Sequence, residues 1–362
     1  MTTTSEAPTA QAAAPQPKAK KSGGSLGRYI AVRALLIIPT VFILVTAVFL
    51  LMRSTGDPIT AAQGGRLPAD QLAERIHAAG YDRPLLVQYL EYLGNILHGD
   101  FGTTLSDHRP ITEVVTTFGA ATLELSAYAL IIAFAVGIPL GRIAAFRRDR
   151  GADAGLRIFA ILAYATPVFF AGLMLKLVFS VWLDVLPVNG RASTRAELQL
   201  ARVDNPTGIY LIDAFKTGDP AVIGDVLQHA ILPALALGLL TAGVFLRVVR
   251  TNVISTFGAG YVDAARSRGV PERRLLRKHA YRPALIPIIT VVGLQIALLL
   301  SGAVLTETTF EWKGLGFQLG QYLQARDFVA VQGIVALLAV VVALTNFIVD
   351  IIAALIDPRV RY

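Results

Sequence analysis

Long apolar segments recur along this sequence, and they constrain its fold more than any other feature. Each is close to or above the length of about 20 residues that a helix needs to cross a bilayer. Backbone polar groups cannot stay unpaired in lipid, so such segments cross as helices. We therefore predict an all-α polytopic membrane protein with about six transmembrane helices. The crossings are placed at Tyr29–Met52, Ala121–Phe146, Leu156–Leu183, Ile231–Val249, Ala284–Leu305 and Val329–Ile356.

The distribution of charge supports the membrane class and predicts an orientation. Charged residues make up 16% of the chain and hydrophobic residues 54%, whereas soluble domains carry about 25% charged residues. A net charge of +8 is compatible with nucleic acid binding, but Lys and Arg here flank apolar segments, which favours membrane topology as the explanation. Basic residues near both ends, such as Lys20, Arg28, Arg359 and Arg361, predict cytoplasmic termini. The chain has no cysteine, which excludes disulfides and thiolate chemistry.

A strongly basic polar segment separates the fourth and fifth predicted crossings, and we call residues 250–283 the basic loop. A Lys or Arg at the centre of a bilayer costs about 2.5–3.5 kcal/mol, so this loop lies outside lipid and is predicted to be cytoplasmic. Asp263–Arg268 favours a helix, Gly269 permits the left-handed conformation that ends one, and Pro271 suits the start of another. We predict a helix, a glycine corner, a short basic helix and re-entry into the membrane at Pro283.

The residue order in the basic loop resembles the EAA loop of ABC importer permeases. The pattern is Asp263-Ala264-Ala265, then Gly269, His279, Pro283 and Pro287. It departs from the family in having Asp263 where the motif has Glu, and Pro271 where a capping Ser is common. In that family the loop is a coupling helix that sits in a cleft of the ATPase subunit. The resemblance implies this role for Asp263, Ala264, Ala265, Gly269, Glu272, Arg273, His279 and Pro283.

Other segments are similar to the dipeptide, oligopeptide and nickel branch of these permeases, in particular to its B-type subunit. They are Ala79–Leu105, the run ATLEL at Ala121–Leu125, Leu186-Pro187 with Gly190, Glu307–Gly333, and DPRVRY from Asp357. This resemblance covers nearly everything from Arg28 to Tyr362 and implies the type I ABC importer permease fold. It implies a cell-membrane subunit that moves dipeptides or oligopeptides, with nickel, haem or an oligosaccharide as alternative substrates. It also implies as partners a second homologous permease, two cytoplasmic ATPase subunits and an extracytoplasmic substrate-binding protein.

The polar segments between crossings predict the domain organisation. Residues 1–27 have little to bury and are expected to be a disordered cytoplasmic extension. Residues 28–119 hold the first crossing and an external cap with two amphipathic helices, Leu67–Ala79 and Pro84–Leu97. Residues 120–357 form the permease core, including the basic loop, and residues 358–362 a cytoplasmic tail. Within the core, residues 184–229 are a second external segment, with short helices expected at Ile209–Phe215 and Ala221–Leu227.

Several positions in and near the crossings carry individual expectations. Tyr164, Phe169 and Phe170 surround Pro167 in the third crossing, where we expect a kink, and they are candidates to line a pathway. Lys176 is a further pathway candidate, although extension of its long stem to the membrane surface is the favoured interpretation. Glu124 is expected to reach water, and Gly137 and Gly141 to form a helix-packing pair. Trp312 and Tyr322 are expected to anchor the chain at a membrane interface. Gly314 and Gly316 are expected to mark a tight turn.

The sequence lacks the motifs of an enzyme. No G-x-x-x-x-G-K-[ST] motif is present, so the phosphate-cradling loop of an ATPase is absent and ATP hydrolysis is expected in separate subunits. His77, His98 and His108 share the cap without a metal-ligand spacing, so no metal, cofactor or catalytic residue is predicted. Two rival interpretations stay open. An ion-coupled secondary transporter would need ionisable residues in mid-membrane, for which Lys176 and Asp350 are poor candidates, and a membrane scaffold would use the external segments for binding.

Overall fold

The protein is described here as a computed structural model that covers residues 26–63, 65, 67–275, 281–284, 291, 295, 299 and 303–356. In this part of the chain the regular structure is helical, and the one β-type contact is an isolated antiparallel bridge between Thr103 and Pro110. In chain order the helices are α1 (Leu26–Ser54), α2 (Pro58–Gln63), α3 (Ala69–Ala78), α4 (Leu85–Leu97), α5 (Ile111–Phe146), α6 (Gly151–Ala165), α7 (Val168–Leu175), which continues as a π-helical segment (Lys176–Trp182), α8 (Thr194–Leu200), α9 (Tyr210–Thr217), α10 (Pro220–Phe257), α11 (Gly260–Ser267), α12 (Glu272–Arg274), α13 (Tyr281–Ala284), α14 (303–310), α15 (Leu315–Gln324) and α16 (Phe328–Ile356).

Four of the described helices are long and apolar enough to cross a membrane: α1, α5, α10 and α16. They contain the predicted first, second, fourth and sixth crossings, which are thereby confirmed as helices. Two of them begin earlier than expected, because α5 starts at Ile111 and α10 at Pro220. Hydropathy marks the part of a helix that lipid would contact, and both helices continue into the polar segment beyond it.

The predicted third crossing is not one helix. α6 and the helical segment Val168–Trp182 meet at an angle of 106°. Thr166 has an extended backbone with ψ 125°, as a residue before proline prefers, and Pro167 has no N–H to continue the helical ladder. The predicted crossing Leu156–Leu183 is therefore broken by a sharp bend at these two residues, and its passage through the membrane as one span stays a prediction.

The core is the packing of α5 against α10, the most extensive helix pair in the described structure. A Cβ added at Gly137 would lie 2.6 Å from the Ala242 carbonyl oxygen, and one added at Gly141 would lie 2.7 Å from the Leu246 carbonyl oxygen. The predicted packing pair is confirmed, because only glycine lets the two backbones approach this closely. In its most apolar stretch, α10 is 61% buried within the chain, against 17% for α1, so α10 is the central helix.

The polar segments are folded onto the membrane helices. The predicted cap helices are confirmed as α3 and α4, and Ile209–Phe215 corresponds to α9. Ala221–Leu227 is instead the beginning of α10, and α8 was not anticipated. The buried Asp327 carboxylate accepts hydrogen bonds from the amides of Leu105 (2.7 Å) and Ser106 (2.8 Å), which fastens the cap to the start of α16.

Three predictions fall on residues outside the described part. They are the disordered extension, the C-terminal tail and most of the fifth crossing, Ala284–Leu305. Of that crossing, Ala284 is buried against Val249 and Val253 of α10. The placement of the fifth crossing between the basic loop and α14 stays a prediction.

Candidate functional site

The basic loop has the corner that the sequence predicts. α11 ends in a left-handed Gly269 (φ 79°), whose amide donates to the Arg266 carbonyl at 2.9 Å. The Val270 amide donates to the Ala265 carbonyl at 3.3 Å. These two bonds form a Schellman motif, the common way for a helix to stop at glycine. Pro271 then precedes α12 as its N-terminal cap residue instead of its first helical residue.

Arg266 holds the two sides of this corner together. Its guanidinium forms an ion pair with Asp263 in the same helix and donates to the Glu272 carboxylate at 2.8 Å across the corner. It also lies 5.0 Å from the centroid of the Phe257 ring at the end of α10. The hydrogen bond with Glu272 raises the pKa of Arg266 above its ordinary value, although these groups are exposed and the pair adds little stability.

Two buried side chains anchor an otherwise exposed loop. Val262 of α11 and Leu275 after α12 are fully buried, whereas Tyr261 is half exposed. Of the residues with an implied coupling role, Asp263, Ala264, Gly269, Glu272 and Arg273 are exposed, and Ala265 is half-buried. His279 lies outside the described residues, and Pro283 belongs to α13. The structure therefore presents one exposed surface on a buried base, which suits a protein contact.

A buried ion pair connects the helix that leads into the basic loop with α6. Arg250 Nε and Nη2 donate to the two carboxylate oxygens of Asp153 at 2.6 and 2.8 Å. Asp153 is fully buried and also accepts from the Asp149 amide at 3.1 Å. Bidentate pairs of this type fix orientation as well as distance, so α6 and α10 are rigidly joined close to the loop. Arg250 was predicted only as a basic residue at the start of the basic loop, and no local signal in the sequence indicated this pair.

The pathway candidates are not brought together at one site. Tyr164 is 72% exposed on α6, where Arg247 lies 5.4 Å from its ring centroid. Phe169 and Phe170 are exposed on α7, beyond the bend. Lys176 Nζ donates to Asn189 Oδ1 at 2.7 Å and to the Thr309 carbonyl at 2.8 Å. Two protein acceptors therefore hold the ammonium group of Lys176, one of them the exposed Asn189, and the extension of Lys176 to the membrane surface stays a prediction.

A second buried ion pair joins α5 to the polar segment 184–229. Glu124 accepts from Arg191 Nη2 at 2.6 Å and from the amides of Tyr210 (3.2 Å) and Leu211 (2.8 Å). The Arg191 guanidinium also lies 3.6 Å from the centroid of the Tyr210 ring. Glu124 was expected to reach water, but its side chain is 2% exposed. A Glu in an apolar span was the available signal, whereas nothing in the sequence distinguished Arg191 from a surface residue.

The segment after the fifth predicted crossing is packed inward. Trp312 is fully buried and donates through Nε1 to the Ala121 carbonyl at 2.9 Å, and Tyr322 is also buried, so neither is an interface anchor. Gly314 and Gly316 do not form a tight turn. A Cβ on Gly314 would overlap the carboxylate of the buried Glu307, and one on Gly316 would lie 2.5 Å from Val304 Cα. The glycines are required by close approach, not by a left-handed backbone.

No metal site is present among the described residues, where no group of three or more His, Asp or Glu side chains has a suitable arrangement. His77 instead contacts the Asp82 carboxylate at 2.5 Å. The hydrogen bond from His77 is the main reason that the pKa of Asp82 lies below its ordinary value.

Comparison with protein families gives one match. Residues 137–362 match the family described as the binding-protein-dependent transport system inner membrane component. The matched region runs from the second half of α5 through the basic loop to the end of the chain. It therefore contains the close contacts of Gly137 and Gly141 with α10 and the ion pair of Asp153 with Arg250.

Curated relatives match along nearly the whole chain. The di/tripeptide transport system permease protein DppB of Pseudomonas aeruginosa (strain UCBPP-PA14) is 39% identical over 336 residues, 92% of this chain and 98% of the relative. The dipeptide transport system permease protein DppB of Escherichia coli (strain K12) is 37% identical over 338 residues, 92% and 99% of the two chains. The glutathione transport system permease protein GsiC of Salmonella choleraesuis (strain SC-B67) is 32% identical over 335 residues, 92% and 99%.

Proposed function

The chain belongs to the family of binding-protein-dependent transport system inner membrane components, and on that premise we propose that it is the permease subunit of an ATP-driven importer of dipeptides or oligopeptides. The family and the apolar helices make it a multi-pass transport protein of the cell membrane. The observation that carries the substrate class is the similarity along 92% of the chain to permeases named for dipeptides and di/tripeptides.

The names of the relatives favour peptides over the other substrates of this branch. Dipeptides, di/tripeptides and glutathione are all short peptides, and their permeases resemble this chain over the same length. An ion-coupled transporter is less well supported, because both of its candidate groups have protein partners. Lys176 is bound by Asn189 and Thr309, and Asp350 pairs with Arg33 at 3.0 Å.

The basic loop is the proposed contact with the ATPase subunits. Its exposed carboxylates and guanidinium groups lie on a corner that Arg266 braces and that Val262 and Leu275 anchor. Such a surface can receive force without unfolding, and the pair of Asp153 with Arg250 passes the displacement to α6. Rigid-body movement of these helices would then open the path to alternate sides of the membrane.

The remaining parts of the assembly follow from this function. We assign the basic loop and both termini to the cytoplasm, with residues 1–27 as an extension and 358–362 as a tail. Residues 28–119 would form the first crossing with its external cap, and residues 120–357 the permease core. ATP would be hydrolysed by two separate subunits, and a second permease and an extracytoplasmic substrate-binding protein would complete the complex.

Affinity purification of the tagged chain from its native membrane, with mass spectrometry of the bound proteins, tests this assembly. Recovery of a second permease, ATPase subunits and a binding protein is the expected result. A variant with Glu272→Lys and Arg273→Glu reverses charges on the exposed corner and should lose the ATPase subunits while it keeps the second permease. Recovery of the chain alone, still active in uptake, would contradict the proposal.

A further inference from the structure

A polar cavity of about 160 Å³ lies where five parts of the chain meet. Its walls come from the end of α1, from the connection between α3 and α4, from α4, from the loop up to Gly102 and from the start of α16. A single water molecule needs roughly 10–15 Å³ of such space, so the cavity is large enough for a small organic group. It is on the cap side of the molecule, and neither the basic loop nor the bend at Pro167 contributes to it.

Unpaired buried polar atoms are concentrated at this cavity. Among the described residues, eight buried side-chain N or O atoms lack a hydrogen-bond partner, and four of them belong to residues that line it. These four are Arg53 Nε, Arg53 Nη1, Gln88 Oε1 and Tyr92 Oη. An unpaired buried polar group destabilises the folded state, and native proteins contain few of them. Their clustering indicates a ligand that supplies the missing partners.

Arg53 gives the cavity its charge. Its guanidinium lies between two aromatic rings, 5.2 Å from the Phe49 centroid and 4.5 Å from the Tyr81 centroid. Within the described part of the chain, no carboxylate forms an ion pair with it. The two carboxylates in the cavity wall are used elsewhere: Glu91 pairs with Arg83 at 2.5 Å, and Asp100 accepts from the Gly102 amide at 2.9 Å. A half-buried guanidinium whose Nε and Nη1 are unpaired, and which has no carboxylate partner among the described residues, favours an anion.

The other two residues narrow the chemistry of the ligand. Gln88 donates through Nε2 to the Tyr81 and Arg83 carbonyls at 3.0 and 2.7 Å, which leaves Oε1 as an acceptor. The Tyr92 hydroxyl faces Gln332 without a hydrogen bond of normal geometry. Burial raises the pKa of Tyr92 to about 12, so the phenol remains a donor at physiological pH. The ligand must therefore accept from Arg53 and Tyr92 and donate to Gln88.

We propose that the cavity lined by Arg53, Gln88 and Tyr92 binds an anionic group that carries an adjacent N–H donor. Two sources have this chemistry. One is the C-terminus of a short peptide, with its carboxylate and last amide, and the other is a phosphatidylethanolamine headgroup, with its phosphate and ammonium. In both, Arg53 and Tyr92 donate to the anion and Gln88 accepts from the N–H group.

The test measures binding to the purified full-length chain in lipid nanodiscs, without transport, so that it is independent of the proposed function. Calorimetric titration with glycylglycine is compared with glycylglycinamide, which lacks the carboxylate. Thermal unfolding is compared in nanodiscs of phosphatidylcholine alone and with added phosphatidylethanolamine. A peptide source predicts at least tenfold tighter binding of glycylglycine than of its amide. A lipid source predicts no such preference and a higher Tm with phosphatidylethanolamine.

Three variants assign the response to the cavity. Arg53→Gln should weaken the response at least tenfold, or abolish the Tm difference. The matched control is Arg109→Gln, which removes a similar half-exposed Arg that contacts Phe118 outside the cavity wall. Gln332→Glu places a carboxylate in the cavity wall, so it should raise the Tm and remove the peptide binding or the lipid-dependent Tm difference. This variant tests the cavity even where Arg53→Gln does not fold. The proposal would be overturned if the wild type showed no carboxylate preference and no lipid dependence. An unchanged response in Arg53→Gln or in Gln332→Glu would also overturn it.

Discussion

Gly137→Ala tests the packing that holds the core together. A Cβ at this position would lie 2.6 Å from the Ala242 carbonyl oxygen and 2.8 Å from Phe245 Cβ. Nonbonded heavy atoms prefer about 3.5 Å, so α5 and α10 would have to separate by about 1 Å. Overpacking of this kind costs about 1–3 kcal/mol. Replacing glycine by alanine within a helix stabilises the helix by about 1 kcal/mol, so the net effect should be destabilisation by up to about 2 kcal/mol.

Gly119→Ala is the matched control for this prediction. Gly119 is in the same helix, but no atom lies within 4 Å of its added Cβ, so the variant should gain up to about 1 kcal/mol. The midpoint of thermal or denaturant unfolding, measured for both variants in the same detergent, should therefore fall for Gly137→Ala and rise for Gly119→Ala. Equal shifts in one direction would refute the argument, because helix propensity alone would then explain both.

Three further changes test other parts of the account. Gly269→Val forces a β-branched residue to φ 79° at a cost of about 1–2 kcal/mol, and it should raise the number of ATP molecules hydrolysed per peptide imported. The control Gly260→Ala, where the added Cβ meets open space, should leave this ratio unchanged. Asp153→Asn leaves the partly buried Arg250 without its anion, so the free energy of unfolding should fall by up to about 3–5 kcal/mol, and an unchanged unfolding midpoint would contradict this. Burial raises the pKa of Asp213, but hydrogen bonds from residues 207, 208 and 216 outweigh it and lower the pKa below the ordinary 3.8. Its stabilisation is therefore complete above pH 3.8 and is lost as the pH falls below that value, a loss that Asp213→Asn should not show in thermal unfolding.

The sequence predicted the elements whose structure depends on local physics. Long apolar runs gave α1 and α16, amphipathic spacing gave α3 and α4, and Gly269 gave the corner of the basic loop. Each of these depends on neighbours within a few residues. The hydrophobic pattern, however, reports where a helix meets lipid and not where it begins, so the extra turns before Ala121 and Ile231 were missed.

Contacts between distant residues could not be predicted in the same way. Glu124 and Arg191 are 67 positions apart, and their pairing depends on how the segment 184–229 folds back on α5. Trp312 is a residue type common at membrane interfaces, but it is buried in the core, where the distant Ala121 carbonyl accepts its indole N–H. Pro167 indicated a kink, whereas the 106° angle between the two helical segments could not be read from the sequence.

The sequence also predicted the residue types of the basic loop better than their contacts. Asp263 and Glu272 were identified through a family pattern, whereas their common partner Arg266 was predicted only as part of the helical run Asp263–Arg268. The brace exists because the glycine corner brings α11 and α12 together. A single sequence contains the corner, but the distance across it appears only in three dimensions.

Uptake of a labelled dipeptide into proteoliposomes tests the central claim most directly. The liposomes would contain the complex purified through this chain, with its substrate-binding protein outside and ATP inside. The account predicts uptake that requires internal ATP and continues when proton and sodium gradients are dissipated. Uptake that follows an ion gradient and proceeds without ATP would contradict the account and would support an ion-coupled transporter.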